Sequence, residues 1–142
     1  MTDCQIVLLN GSKDLDFEIR LKKYNPKLKF LYYNYFTKSL ENFKNKKLIA
    51  FAGIGNPRNF FDFLKIHHLN IVKEIEYPDH YEYNEKELDN LSNLEKQYKA
   101  KLITTEKDYF RINPVFQKRV FYLPVKIRID ENSFEKLIRN FI

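Results

Sequence analysis

A chain of 142 residues, 44% hydrophobic and carrying a net charge of +6 at pH 7, is long enough to bury one core and basic enough to suit anionic company. Its one cysteine, Cys4, excludes an internal disulfide and any multi-cysteine zinc site. No basic stretch followed by a long apolar run marks a signal peptide, and no window approaches a membrane-spanning length.

The positive charge fits phosphorylated substrates, nucleic acid or an acidic membrane face, and equally a surface kept soluble by charge. Lys44, Lys46, Lys47 and Lys101 are scattered rather than gathered on one helix face. Cys4 heads an apolar run, which predicts a buried structural thiol and a reducing compartment.

Along the chain, strands and helices alternate. Gln5–Leu9 reads as a short strand ending at the Asn10-Gly11 turn, and Asp14–Lys23 as a helix of irregular apolar spacing. Leu28–Tyr35 reads as a strand, and Lys47–Ala52 as an apolar strand running into Gly53-Ile54-Gly55-Asn56-Pro57. A helix follows, with Asn56 as cap, Pro57 at its first position, and Phe60, Phe61 and Leu64 along one face.

Ile71–Tyr77 is the next strand, stopped by Pro78. Asn84 and Glu87 have capping-box spacing ahead of a helix whose Leu88, Leu91, Leu94 and Tyr98 form one stripe. Lys101–Thr104 reads as a strand, and Val120–Ile129 as a strand that Pro124 bends or confines to an edge. A closing helix carries Phe134, Leu137, Ile138 and Phe141. The sum is a single α/β domain over residues 1–142: a mostly parallel sheet with helices on its faces.

In such a sheet ligands gather where strands end and helices begin. Three polar clusters fall there: Gly53–Pro57, Pro78–Tyr83 and Thr104–Asp108. Gly53 and Gly55 permit close backbone approach, and a helix start attracts anions, but a tight turn with a capped helix explains the same residues. Arg58 stands where a dinucleotide fingerprint would have its third glycine. His80 beside Asp79 suits a general base, a proton relay or an orienting partner, and equally a structural histidine. His67 and His68 read as favourable charge near a helix C-terminus, and the sequence suggests no metal site.

Thr104, Thr105, Glu106, Lys107 and Asp108, with Arg111 beyond, suit a phosphate, Mg²⁺ or a salt-bridged turn. No G-x-x-x-x-G-K-[ST] loop, Gly-x-Ser-x-Gly elbow or His-Glu-x-x-His pair occurs in the sequence.

Together the clusters resemble one family, the tetraacyldisaccharide 4'-kinases of lipid A biosynthesis. The matching stretches are Ala50–Pro57 with Phe60-Phe61, then Pro78-Asp79-His80-Tyr81-x-Tyr83, then Leu102–Asp108 with Arg111, and finally Leu123-Pro124-Val125. Val7–Gly11 also looks like the family's segment ahead of this region. One departure is Tyr81, where the family normally has a second histidine.

The resemblance implies the C-terminal part of a P-loop-kinase-like protein, with the N-terminal half absent. In the family that half carries the P-loop, the membrane-associating helix, most Mg²⁺ ligands and an aspartate thought to act on the substrate hydroxyl. The implied reaction moves the γ-phosphate of ATP to the 4'-hydroxyl of a tetraacyldisaccharide 1-phosphate. His80 is then the catalytic candidate, as partner to that aspartate. Gly53, Gly55 and Asn56 would shape the cleft, and Thr104, Thr105, Glu106, Lys107 and Asp108 would brace it or touch nucleotide.

ATP and Mg²⁺ are the implied cofactors of the intact enzyme, and tight binding of either to this chain alone is not expected. The implied partners are the lipid A disaccharide precursor, the absent P-loop half and a membrane surface, with no nucleic acid. The intact enzyme is expected at the cytoplasmic face of the inner membrane, and the chain alone in the cytoplasm. Without the other half, apolar surface that it would cover is expected to lie open. Two other readings stand beside this one: a non-catalytic partner domain of a two-chain kinase, and a basic nucleic-acid-binding α/β module whose binding would fall steeply with salt.

Overall fold

The computed structural model describes residues 4–37 and 40–139. The backbone gathers into two compact units where the sequence suggests one domain: Met1–Phe36 with Val125–Ile142, and Thr37–Pro124.

The first unit holds β1 (Ile6–Asn10), α1 (Leu15–Lys22), β2 (Lys29–Phe36) and, from the chain's end, β7 (Lys126–Ile129) and α6 (Glu131–Ile138). β1 and β2 are parallel and β2 and β7 antiparallel, giving the order β1-β2-β7. Asp14 caps α1 by accepting the Phe17 N–H at 2.9 Å, and acidic residues in the first turn and basic ones in the last suit the helix dipole. Glu18 is buried and accepts the Tyr32 hydroxyl at 2.9 Å. Leu8, Leu15, Ile19, Ile127 and Phe134 remain exposed. Of the closing helix's apolar residues, Phe141 and the side chains of Leu137 and Ile138 lie outside the described residues.

The second unit is a four-stranded parallel sheet of order β4-β3-β5-β6, built from β3 (Lys47–Ala52), β4 (Asn70–Glu76), β5 (Lys101–Thr105) and β6 (Val120–Leu123). Its helices are α2 (Pro57–Ile66), α3 (Glu85–Tyr98) and the one-turn α4 (Glu106–Tyr109) and α5 (Pro114–Gln117).

β3 is central, and the period of two along it builds two cores. Leu48, Ala50 and Ala52 pack with Phe60, Phe61 and Leu64 of α2, while Ile49 and Phe51 pack with Leu88 and Leu91 of α3. An unbroken apolar run is what a parallel strand covered on both faces requires.

Local chemistry sets the helix ends. Asn84 accepts the Glu87 N–H at 3.1 Å, the cap that the sequence spacing predicts. Asn56 occupies the cap position of α2, yet its side chain makes no capping bond. Lys99 closes α3 in the left-handed region, with φ of 48°.

One expectation holds in part and one fails. Pro124, with no N–H to continue a ladder, does interrupt Val120–Ile129 and both pieces are edge strands, but they lie in two different sheets rather than forming one strand. Cys4 is exposed rather than buried, since it precedes the first residue of β1, and its thiol donates to the Ile6 carbonyl at 3.2 Å.

Candidate active site

The three clusters of the sequence meet at the carboxyl edge of the parallel sheet, and the backbone of one residue joins them. The N–H of Gly53, just past β3, donates to Asp108 Oδ2 at 3.1 Å. Its carbonyl accepts two donors, the His80 N–H at 3.1 Å and Arg111 Nη1 at 3.2 Å. Strand alignment alone brings these segments together, because Phe51 pairs with Thr104 across the β3–β5 ladder and Tyr77 donates its N–H to the Ala52 carbonyl at 2.9 Å.

Gly53 is a glycine for packing reasons. A Cβ there would lie 3.0 Å from Tyr81 Cβ, 3.1 Å from the Pro78 carbonyl oxygen and 3.2 Å from the Tyr83 hydroxyl. Two of those neighbours cannot swing away, being backbone and a Cβ. Gly53→Ala should therefore cost about 1–3 kcal/mol, the usual range for forcing a group into a filled core, read as a lower urea midpoint at unchanged slope. Gly55 is less confined: it is exposed, and its nearest neighbour would be Asp79 Oδ2 at 3.4 Å.

Behind this loop lies a buried brace. Asp108 and Thr104 are fully buried. Thr104 Oγ1 donates to the Phe51 carbonyl at 2.7 Å, and Thr105 Oγ1 donates to Asp108 Oδ2 at 2.7 Å while accepting the Asp108 N–H at 3.1 Å. Thr105 thus caps the one-turn helix α4. The other oxygen of Asp108, Oδ1, has no hydrogen-bond partner among the described residues, and Arg111 Nη1 sits 3.7 Å from it.

Beside the brace, Phe51, Tyr77, Tyr81 and Tyr83 form an aromatic cluster, with Tyr77 and Tyr81 stacked at 4.7 Å. Tyr81, the departure from the family's second histidine, is absorbed in this packing. Burial pushes the Tyr77 phenol up to about 12, and burial followed by the nearby Asp108 carboxylate pushes Tyr83 up further.

The accessible rim carries the remaining candidates. Gly55, Asn56, Asp79, Glu106 and Lys107 are exposed, and Lys107 Nζ lies 3.8 Å from Asp79 Oδ1. The His80 side chain is 70% exposed, and its backbone is left-handed, with φ of 60°. Histidine tolerates that region better than most residues. Two acceptors hold its N–H there, the Gly53 carbonyl and Asp79 Oδ1 at 2.9 Å. The ring's Nδ1 is 2.9 Å from Arg111 Nη2, and Nε2 is 3.8 Å from Asp79 Oδ2.

Of the residues singled out from the sequence, all three clusters are therefore neighbours, but they divide by depth. Gly53, Thr104, Thr105 and Asp108 have their polar groups engaged inside the protein. His80, Lys107, Gly55, Asn56 and Glu106 face outward. His67 caps the end of α2 and packs edge-on against Phe63 at 4.5 Å, away from this group. Arg111 is the member that sequence reasoning undervalued. Its spacing of three from Asp108 was the available signal.

The model of the tetraacyldisaccharide-1-P 4'-kinase family, LpxK, matches residues 1–142. The chain belongs to this family. Among curated relatives, the tetraacyldisaccharide 4'-kinase of Pelagibacter ubique is 35% identical over 138 residues, covering 94% of this chain and 44% of that protein. The kinases of Rickettsia typhi and Rickettsia bellii are 44% and 45% identical over 87 and 98 residues, covering 61% and 68% of this chain and 27% and 30% of theirs. The chain thus spans less than half the length of these 4'-kinases.

The crystal structure of the "apo" form of LpxK from Aquifex aeolicus in complex with ATP shares the fold, with a TM-score of 0.50 at 20% identity, over 97% of this chain and 52% of that one. The α/β architecture is that of the 4'-kinase family, and the protein is a lipid A 4'-kinase relative.

Proposed function

We propose that this chain supplies the C-terminal half of a kinase that transfers the γ-phosphate of ATP to the 4'-hydroxyl of tetraacyldisaccharide 1-phosphate, and that His80 is its catalytic contribution. The observation that carries the reading is the junction at Gly53. It gathers the family's three motifs on one sheet edge and leaves His80 facing out of it.

The residues here do not fit a phosphate cradle. The Gly53 N–H and the Thr104 and Thr105 hydroxyls are already donated within the protein, and the space beside Gly53 is filled by Tyr81, Pro78 and Tyr83. ATP and Mg²⁺ therefore belong to the rest of the enzyme, and Thr104, Thr105 and Asp108 act as a brace for the loop that presents His80.

Phosphoryl transfer depends on positioning and charge more than on covalent help. The outward ring of His80 suits the orientation of a carboxylate base contributed by the other half, and Lys107 and Arg111 set two cations beside Asp79 and Glu106 on the rim. An acylated substrate suits an enzyme working at a membrane surface, which we take to be the cytoplasmic face of the inner membrane.

On this reading the pure 142-residue chain transfers no phosphate from labelled ATP to the disaccharide. Adding the P-loop half of a related kinase, as a fusion or a co-expressed chain, generates activity. Transfer by the chain alone would overturn the division of labour.

A further inference from the structure

Arg111 holds more of the site together than any other side chain on the rim. Its guanidinium has three neighbours: the Gly53 carbonyl at 3.2 Å, Asp108 Oδ1 at 3.7 Å and His80 Nδ1 at 2.9 Å. The side chain is only 22% exposed, and its carboxylate partner is fully buried. One hydrogen bond, to the Gly53 carbonyl, and one ion pair, to Asp108, thus hold the guanidinium, and the third contact is made to the ring.

A guanidinium has donors and no acceptor, so a nitrogen bonded to it must offer a lone pair. Nδ1 is therefore the unprotonated nitrogen, and the neutral ring carries its proton on Nε2. We propose that Arg111 is a positioning residue, which locks His80 in the Nε2–H tautomer and fixes the ring so that this N–H lies as a donor on the exposed rim, 3.8 Å from Asp79 Oδ2. The inference rests on the catalytic reading of His80, but the tautomer exists in the chain whether or not that reading holds.

A donor at Nε2 suits a carboxylate partner and not a lone-pair acceptor role toward a substrate hydroxyl. His80 accordingly orients a carboxylate base and does not itself remove the hydroxyl proton. Arg111, which acts only through His80, is expected to contribute about 10–100-fold in activity.

The test is long-range ¹H–¹⁵N correlation of the imidazole rings in the 142-residue chain, above the pH at which the histidines lose charge. His80→Gln identifies the His80 signals against those of His67 and His68. A single Nε2–H pattern for His80 is expected, with Arg111→Met giving the averaged pattern of an exchanging ring and Arg111→Lys an intermediate one. The backbone amide spectrum shows whether each variant is folded.

The unsubstituted chain decides by itself if the variants do not fold: an Nδ1–H or averaged pattern there overturns the proposal. So does a folded Arg111→Met chain whose His80 pattern is unchanged. In the complete kinase, Arg111→Met is expected to lower kcat about 10–100-fold with KM held. Loss of the tautomer with no change in kcat would overturn the catalytic reading and leave the structural one standing.

Discussion

Replacing Asp108 by alanine should remove about 3–5 kcal/mol of folding stability, the cost of breaking a buried ion pair by deleting one partner. The carboxylate is wholly enclosed, yet it accepts the Gly53 N–H and the Thr105 hydroxyl and faces Arg111. Its loss strands an amide proton, a hydroxyl and a largely enclosed guanidinium together. Because a domain's whole margin is about 5–15 kcal/mol, such a change takes a large part of it.

Asp108→Asn keeps the shape and one acceptor, and should cost less, about 1–3 kcal/mol. Urea unfolding of both variants against the parent gives the comparison, provided that the slope is unchanged. A loss below about 1 kcal/mol for alanine would mean that Asp108 is not the brace of this loop.

The second large effect is on chemistry. In a kinase completed with the P-loop half, His80→Ala should lower kcat by about 10²–10⁴-fold with little change in KM, the range for lost acid–base assistance. His67→Ala and His68→Ala should leave kcat near the parent value. Both lie at the C-terminal end of α2, where a histidine contributes about 0.3–1 kcal/mol to stability. The exposed ring of His80 makes the contrast informative, since removing it opens no cavity in the core. If kcat stays within a few fold, or if the variant unfolds, His80 is a structural residue that holds the left-handed turn after Asp79.

Much of this protein was legible in its residues. The apolar run Lys47–Ala52, the cap at Asn84 and the Phe60-Phe61-Leu64 face are local patterns, and local patterns are what short-range sterics and hydrogen bonding determine. The three motif clusters and their family were readable for the same reason, since order and spacing are properties of the chain itself.

What only the tertiary structure decided was which groups face inward. Gly53 and Arg111 are 58 residues apart, and Gly53 and Asp108 are 55, so no local pattern announces that one residue's backbone serves both. A threonine or aspartate at a strand end reads as exposed and ligand-binding by its polarity. Here β5 turns Thr104, and α4 turns Asp108, into the core, where the Phe51 carbonyl and the Gly53 N–H offset their desolvation. Cys4 shows the converse: its apolar neighbours suggested burial, but side-chain depth depends on whether a second layer covers the position. Pro124 ends one ladder by a local rule, yet the strand after it joins a different sheet through pairing with β2, a partner about 90 residues away.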